Sequence, residues 1–116
     1  VRDKWITVVE TRGYLARAQK LLTREERDQI IEMISRDPAC GVLLKETGGI
    51  RKVRVAMGKR GKSGGARVVF YYHDDSMPTY LLALFAKNEK DNLTKSERNT
   101  LAYLVVELVK KSKGEL

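Results

Sequence analysis

Residues 50–72, IRKVRVAMGKRGKSGGARVVFYY, decide the fold. Ile50, Lys52, Arg54 and Ala56 alternate with Arg51, Val53 and Val55, so the first part reads as a strand with two of its cations on one face. Val68 to Tyr72 is apolar at every position, as a strand covered on both sides must be. Between them MGKRGKSGG makes a long hairpin loop with glycines at 58, 61, 64 and 65. Residues 51–67 hold seven Lys or Arg and no acid. Like charges so crowded oppose compaction unless an anion meets them, and what meets them is the functional question.

Outward from the hairpin, Tyr80–Ala86 is a second run apolar on both faces, joined to the first by the turn HDDSMP, 73–78. These two runs are expected at the centre of the sheet. Residues 5–9, WITVV, read as a short first strand. Tyr14, Leu15, Ala18, Leu21 and Leu22 then repeat at helical spacing over about 11–21. Thr23 and Glu26 have the spacing of a capping box, followed by Ile30, Ile31, Met33 and Ile34 on a second helix that ends near Asp37-Pro38. The pair would cover one sheet face. Gly41 to Gly49 reads as an irregular link. Thr94 and Glu97 repeat the capping-box spacing, and Leu101, Leu104, Val105, Leu108 and Val109 mark a final amphipathic helix. The expected order is β-α-α-β-β-β-α, an α+β fold with a small, mainly antiparallel sheet, and residues 1–116 form one domain.

The 116 residues suit one hydrophobic core. A net charge of +8 and a pI near 9.7 favour a polyanionic partner, nucleic acid before acidic protein or anionic membrane. Cys40 is the sole cysteine, which excludes an internal disulfide and a cysteine-rich zinc site; without a His or acidic neighbour it reads as a buried structural thiol. No apolar run approaches the ~20 residues of a membrane span, and the N-terminus lacks a secretory apolar core. The expectation is a cytoplasmic protein with no membrane partner.

The glycine-rich loop lets backbone amides approach an anion while Lys59, Arg60 and Lys62 supply charge. It is not a Walker A loop, because the GKS at 61–63 has no glycine five positions before Gly61. A solvated surface loop is the plainer alternative. Lys52 and Arg54 stand about 7 Å apart on one strand face, and Arg67 opens the next strand beside them. Such a shelf has the groups that metal-free RNA cleavage needs: a base for the 2′-OH proton and guanidinium groups for the charge on a pentacoordinate phosphate. A lysine can act as that base if neighbouring cations depress its pKa. A cationic binding strip without catalysis fits the same spacing.

TGGIRKVRVA, the Gly/Lys-rich loop, GGARVVFYY and YLLALFAKNEKDNLT before a helix together resemble the RelE superfamily of bacterial toxins, closest to its HigB-like branch. The likeness spans roughly residues 5–110 in element order and is specific between about 47 and 98. It implies a RelE-like fold and a toxin of a type II toxin–antitoxin system. Such a toxin is an endoribonuclease that enters the 70S ribosome, meets rRNA and mRNA, and cuts the A-site codon by 2′-OH attack without metal or cofactor. It also implies a cognate antitoxin, of helix-turn-helix type. By position, the family's strand cations fall on Lys52, Arg54 and Arg67, and the basic residues after the last strand on Lys87 and Asn88, with Lys90 close by. Asn88 stands where an arginine is expected, and the family's later tyrosine has no match near Leu93 and Thr94. Lys87 or Lys90 is left to supply the charge, and Tyr71, Tyr72 or His73 to stack on a base or assist proton transfer.

The catalytic set is therefore Lys52, Arg54, Arg67 and Lys87, with Arg51, Lys59, Arg60, Lys62, Tyr71, Asn88 and Lys90 binding RNA and no metal ligands. His73, beside Asp74 and Asp75, reads as an exposed turn residue. Glu89 either holds a basic side chain or makes a surface ion pair. Trp5 reads as core at the sheet edge, and KKSK at 110–113 either touches rRNA or completes a helix end. Two rivals share the features: a ParE-like inhibitor of DNA gyrase, which would not need a convergent shelf, and a non-catalytic RNA-binding protein.

Overall fold

Strands rich in β-branched and aromatic residues form the middle layer, and capped helices cover it. The computed structural model describes residues 5–58, 65–90 and 92–114. Its elements are β1 (Val8–Glu10), α1 (Arg12–Leu21), α2 (Arg24–Arg36), β2 (Val42–Leu43), β3 (Ile50–Val55), β4 (Ala66–Tyr71), β5 (Thr79–Ala86) and α3 (Lys95–Ser112). One five-stranded sheet has the order β1-β5-β4-β3-β2, with β1 parallel to β5 and the other pairs antiparallel. The α+β class, the helix pair, the central runs and the final helix all agree with the sequence.

The helices start where their caps dictate. At both Thr23 and Thr94 the hydroxyl accepts the third helical N–H, and the glutamate there accepts the cap's own N–H. Tyr14 and Ala18 of α1, Leu22 just after it, and Ile30 and Ile34 of α2 pack on Val68, Phe70 and Leu84 on one sheet face. On the other face Leu93 and Val105, from α3 and the segment before it, cover Ile50, Val69, Leu82 and Phe85. Both faces of β4 are therefore buried, and all six of its residues are inaccessible. The pairing of Val69 with Ala83 but Phe70 with Leu81 leaves Leu82 as an extra residue in β5. This bulge puts Leu81 and Leu84 on the α1/α2 face and Leu82 and Phe85 on the α3 face.

Three expectations need correction. The link through Gly41–Gly49 contains β2, whose two residues are too few to show a period; Val42 pairs with Lys52 and Leu43 with Arg51. The turn between β2 and β3 is tied by Thr47, whose hydroxyl donates to Leu44 O at 2.7 Å and accepts Ile50 N–H at 3.1 Å. The first strand is Val8–Glu10 rather than 5–9. Trp5 is not core: it is 57% exposed, with the Arg36 guanidinium 4.8 Å above its ring. Cys40 is partly buried against the α1/α2 core, and burial, then Asp37, pushes its thiol pKa up, away from a reactive thiolate. Among the described residues no helix is long and apolar enough to cross a membrane.

Candidate functional site

Strand register assembles the cations. In the β3–β4 ladder Arg54 lies directly opposite Arg67, and Lys52 opposite Val69. Cross-strand partners share a face, so Lys52, Arg54 and Arg67 all stand on the α3 side of the sheet. Arg67 is flanked by Arg54 on β3 and by Phe85 on β5. It is only 3% exposed, and its Nη1 donates to Ala66 O at 3.3 Å, whereas Arg54 is open to solvent. Lys52 Nζ donates to Asn92 Oδ1 at 3.4 Å. These three cations line a cleft of about 250 Å³ with Gly41, Val42 and Val53. Two guanidinium groups side by side, one held in the sheet and one reaching into water, suit an anion whose charge is spread over several oxygens.

The cleft needs a close approach of backbones at its edge. Gly41 has φ +74°, and a Cβ there would lie 2.3 Å from Lys52 O. Only glycine fits, and it lets β2 lie against β3 with Val42 beside Lys52. Arg51, expected to bind RNA, is turned to the opposite face. Its Nη1 donates to Ala39 O at 2.9 Å and Cys40 O at 3.4 Å, fastening the segment before β2.

The turn after β5 carries the next group. Lys87 N–H donates to Gly65 O at 3.0 Å, extending the β4–β5 ladder by one step, and Lys87 and Asn88 are exposed there. Glu89 holds the turn: its carboxylate accepts Ala86 N–H at 3.0 Å and pairs with Arg17 from α1, whose Nε reaches Leu84 O at 3.5 Å. The Ala86 amide, then Arg17, lowers the Glu89 carboxyl pKa. Lys90 pairs with Glu97 and places its ammonium 5.2 Å from the centre of the Phe85 ring, so it stands over the neighbour of Arg67.

Tyr71 shares the shelf face but is core, 3% exposed and packed against Gly49, so its ring offers no open stacking surface. Its hydroxyl meets His73 Nδ1 at 2.9 Å, and burial, then Asp74, raises its pKa. His73 is an exposed turn residue, as expected, and Tyr72 donates to Asp75 at 2.8 Å. Lys59, Arg60 and Lys62 lie outside the described residues. Among the described residues, no three His, Cys, Asp or Glu side chains gather into a metal site.

Gly41, Val42 and Asn92 were not identified from sequence. A glycine before two apolar residues was a usable signal for a close approach at an edge strand. Asn92 had none, because it reaches Lys52 across 40 residues of chain.

Comparison places these features in a known group. The arginine-to-alanine double mutant of the E. coli toxin RelE, solved in the free state, superposes with a TM-score of 0.58 at 15% sequence identity, over 88% of this chain and 98% of that one. At that identity the likeness establishes the fold. The family model described as the RelE toxin of the RelE/RelB toxin–antitoxin system matches residues 29–116. That match takes in both strands of the basic hairpin, the turn after β5 and all of α3, and the chain belongs to the RelE toxin family.

Proposed function

We propose that this toxin is a ribosome-dependent mRNA endonuclease of the HigB-like branch, cutting A-site codons by metal-independent attack of the 2′-OH. The observation that carries this reading is the register of Arg54 opposite Arg67, with Lys52 one step along the same face. The 2′-oxygen bonds to phosphorus as Lys52 accepts its proton. The P–O5′ bond breaks, leaving a 2′,3′-cyclic phosphate and a 5′-hydroxyl, whose proton comes from Lys87 or solvent. Arg54 and Arg67 stabilise the two negative charges on the pentacoordinate phosphorus. In this reading Lys59, Arg60, Lys62, Asn88 and Lys90 bind RNA and rRNA. The Arg51 clasp, in contrast, supports the site by fixing β2.

Family membership brings an antitoxin partner, in this reading acidic and of helix-turn-helix type, in the cytoplasm, with residues 1–116 acting as one toxin domain. The test is primer extension on a translated message, with chelator present and ribosome integrity controlled. The expected result is cleavage in the A-site codon with a 2′,3′-cyclic or 3′-phosphate end. Arg54→Ala should lower the single-turnover rate by about 10²–10³-fold, as for loss of a transition-state donor. A 3′-hydroxyl end refutes 2′-OH attack, and a neutral Arg54→Ala removes the shelf from catalysis. Growth arrest through gyrase, with messages intact, would establish the ParE-like alternative.

A further inference from the structure

Strand β1 pairs with β5 only as far as Leu81, and side chains take over the outer edge of β5 beyond it. Thr11, just after β1, gives its N–H at 3.2 Å and its hydroxyl at 2.6 Å to Leu81 O. Farther along, Arg17 Nε donates to Leu84 O at 3.5 Å, and Ala86 N–H donates to Glu89 Oε1 at 3.0 Å. Arg17 Nη2 pairs with that same Glu89 oxygen. A donor and an acceptor side chain, joined as an ion pair, thus stand where a neighbouring strand would. Because α1 packs on the face opposite the cationic shelf, the pair ties the turn after β5 to the helical layer.

Glu89 closes this turn twice. Its N–H donates to Ala86 O at 3.0 Å while its carboxylate accepts Ala86 N–H, which leaves Lys87 and Asn88 at the two corners. Lys87 N–H is held from the β4 side by Gly65 O at 3.0 Å. Lys87 therefore has a fixed backbone two residues beyond Phe85, the cross-strand neighbour of Arg67. The side chains of Arg17 and Glu89 are 38% and 45% exposed, and an ion pair so open to water contributes little to global stability. Its consequence lies in the geometry of the turn.

We propose that Glu89, backed by Arg17, is a positioning residue for Lys87, holding the turn so that the Lys87 ammonium reaches the departing 5′-oxygen. This rests on Lys87, rather than solvent, being the proton source in the proposed cleavage. As the P–O5′ bond breaks, the ammonium proton passes to the 5′-oxygen and Lys87 is left a neutral amine. A misplacement of about 1 Å can cost about 10²-fold in such a step.

The test is saturated single-turnover cleavage on message-programmed 70S ribosomes, using a normal message and one with sulfur in place of the scissile 5′-oxygen. A thiolate departs without being protonated, so the second message bypasses the proton donor. Glu89→Ala should slow cleavage of the normal message by about ten- to hundredfold and cut the sulfur message at the wild-type rate. Ala86 amide exchange should quicken while the thermal midpoint stays nearly unchanged. Glu89→Gln keeps an acceptor for Ala86 N–H and should recover most of the rate. In a Lys87→Ala background, Glu89→Ala should cost nothing further. An equal loss on both messages, or a further loss in the Lys87→Ala background, overturns the proposal by tracing the effect to something other than Lys87. If Lys87→Ala cuts the normal message at the wild-type rate, Lys87 is not the donor, and the proposal falls with that assignment. If Lys87→Ala is slow and rescued by sulfur while Glu89→Ala cuts normally, the donor stands and the positioning role alone fails.

Discussion

Arg54 and Arg67 face one another across adjacent strands, and this suggests a substitution that should separate stability from activity: Arg67→Met. Directly opposed residues have Cβ atoms about 5 Å apart, and like charges in that position destabilise a sheet. Two unit charges about 6 Å apart repel by about 3 kcal/mol at an effective dielectric constant of 20. Solvent around the exposed Arg54 and ordinary salt cut this to about 1–2 kcal/mol. Methionine keeps most of the buried stem, but loses what the guanidinium holds, including the hydrogen bond from Arg67 Nη1 to Ala66 O, at 3.3 Å a long one, costing about 0.5–1 kcal/mol. The repulsion set against that bond leaves a gain of about 0.5–1 kcal/mol, or roughly 2–6 °C in the unfolding midpoint for a domain of this size. Cleavage should fall about 10²–10³-fold in the same variant. The assay is thermal unfolding across a phosphate series, in parallel with single-turnover cleavage. Inorganic phosphate should stabilise the wild type more than the variant, because it relieves the same repulsion. A midpoint lowered by more than about 4 °C without phosphate would show that Arg67 anchors the sheet instead of straining it.

Other outcomes follow from single contacts. Ribosome affinity should drop steeply between about 50 and 200 mM salt as phosphate counterions are released, and a flat response would remove the electrostatic account. Gly41→Ala must place a Cβ 2.3 Å from Lys52 O at φ +74°, so urea unfolding should show a loss of about 2–4 kcal/mol together with weakened cleavage. Thr94→Ala removes the hydroxyl that accepts Glu97 N–H and should cost about 1 kcal/mol in the same assay, with little effect on ribosome binding. The Glu26 carboxyl titrates lower in the fold than its ordinary 4.5, so its stabilising contribution is complete above that pH and disappears as pH falls through the lowered value. Thermal midpoints should therefore fall more steeply below pH 4.5 for the wild type than for Glu26→Gln.

The elements visible in the sequence were those with a period or a cap. The Thr23–Glu26 and Thr94–Glu97 spacings marked two helix starts, and continuous apolar runs marked the strands buried on both faces. The pairing of Lys52, Arg54 and Arg67 was accessible because strand parity fixes which side chains share a face. What parity cannot give is burial: Tyr71 and Arg67 share one face of β4, and both are about 3% exposed. Whether either is open to RNA depends on what covers that face, which is decided by residues distant in sequence. The same applies to Arg51, whose guanidinium is engaged by two carbonyls at positions 39 and 40. β2 was hidden because two residues carry no period, and its existence depends on Gly41 admitting the neighbouring backbone.

The position of the shelf follows from unequal cover on the two sheet faces. α1 and α2 pack from Val55 on β3 to Leu84 on β5, leaving their face closed to a polymer. α3 and the segment before it cover Ile50, Val69 and Phe85, but Arg54 and Val42 on the same side remain exposed. A strand at the centre of the sheet holds Arg67 immobile, and a strand near the edge offers Arg54 and Lys52 to a ligand. Catalysis of phosphoryl transfer by fixed cations needs both conditions, since a mobile guanidinium must be reoriented during the reaction and one buried in the sheet, as Arg67 is, meets phosphate only at the cleft it lines with Arg54 and Lys52. Their meeting at the β3–β4 register puts Lys52, Arg54 and Arg67 together on one face, which in the proposed reading is the place an anion fills.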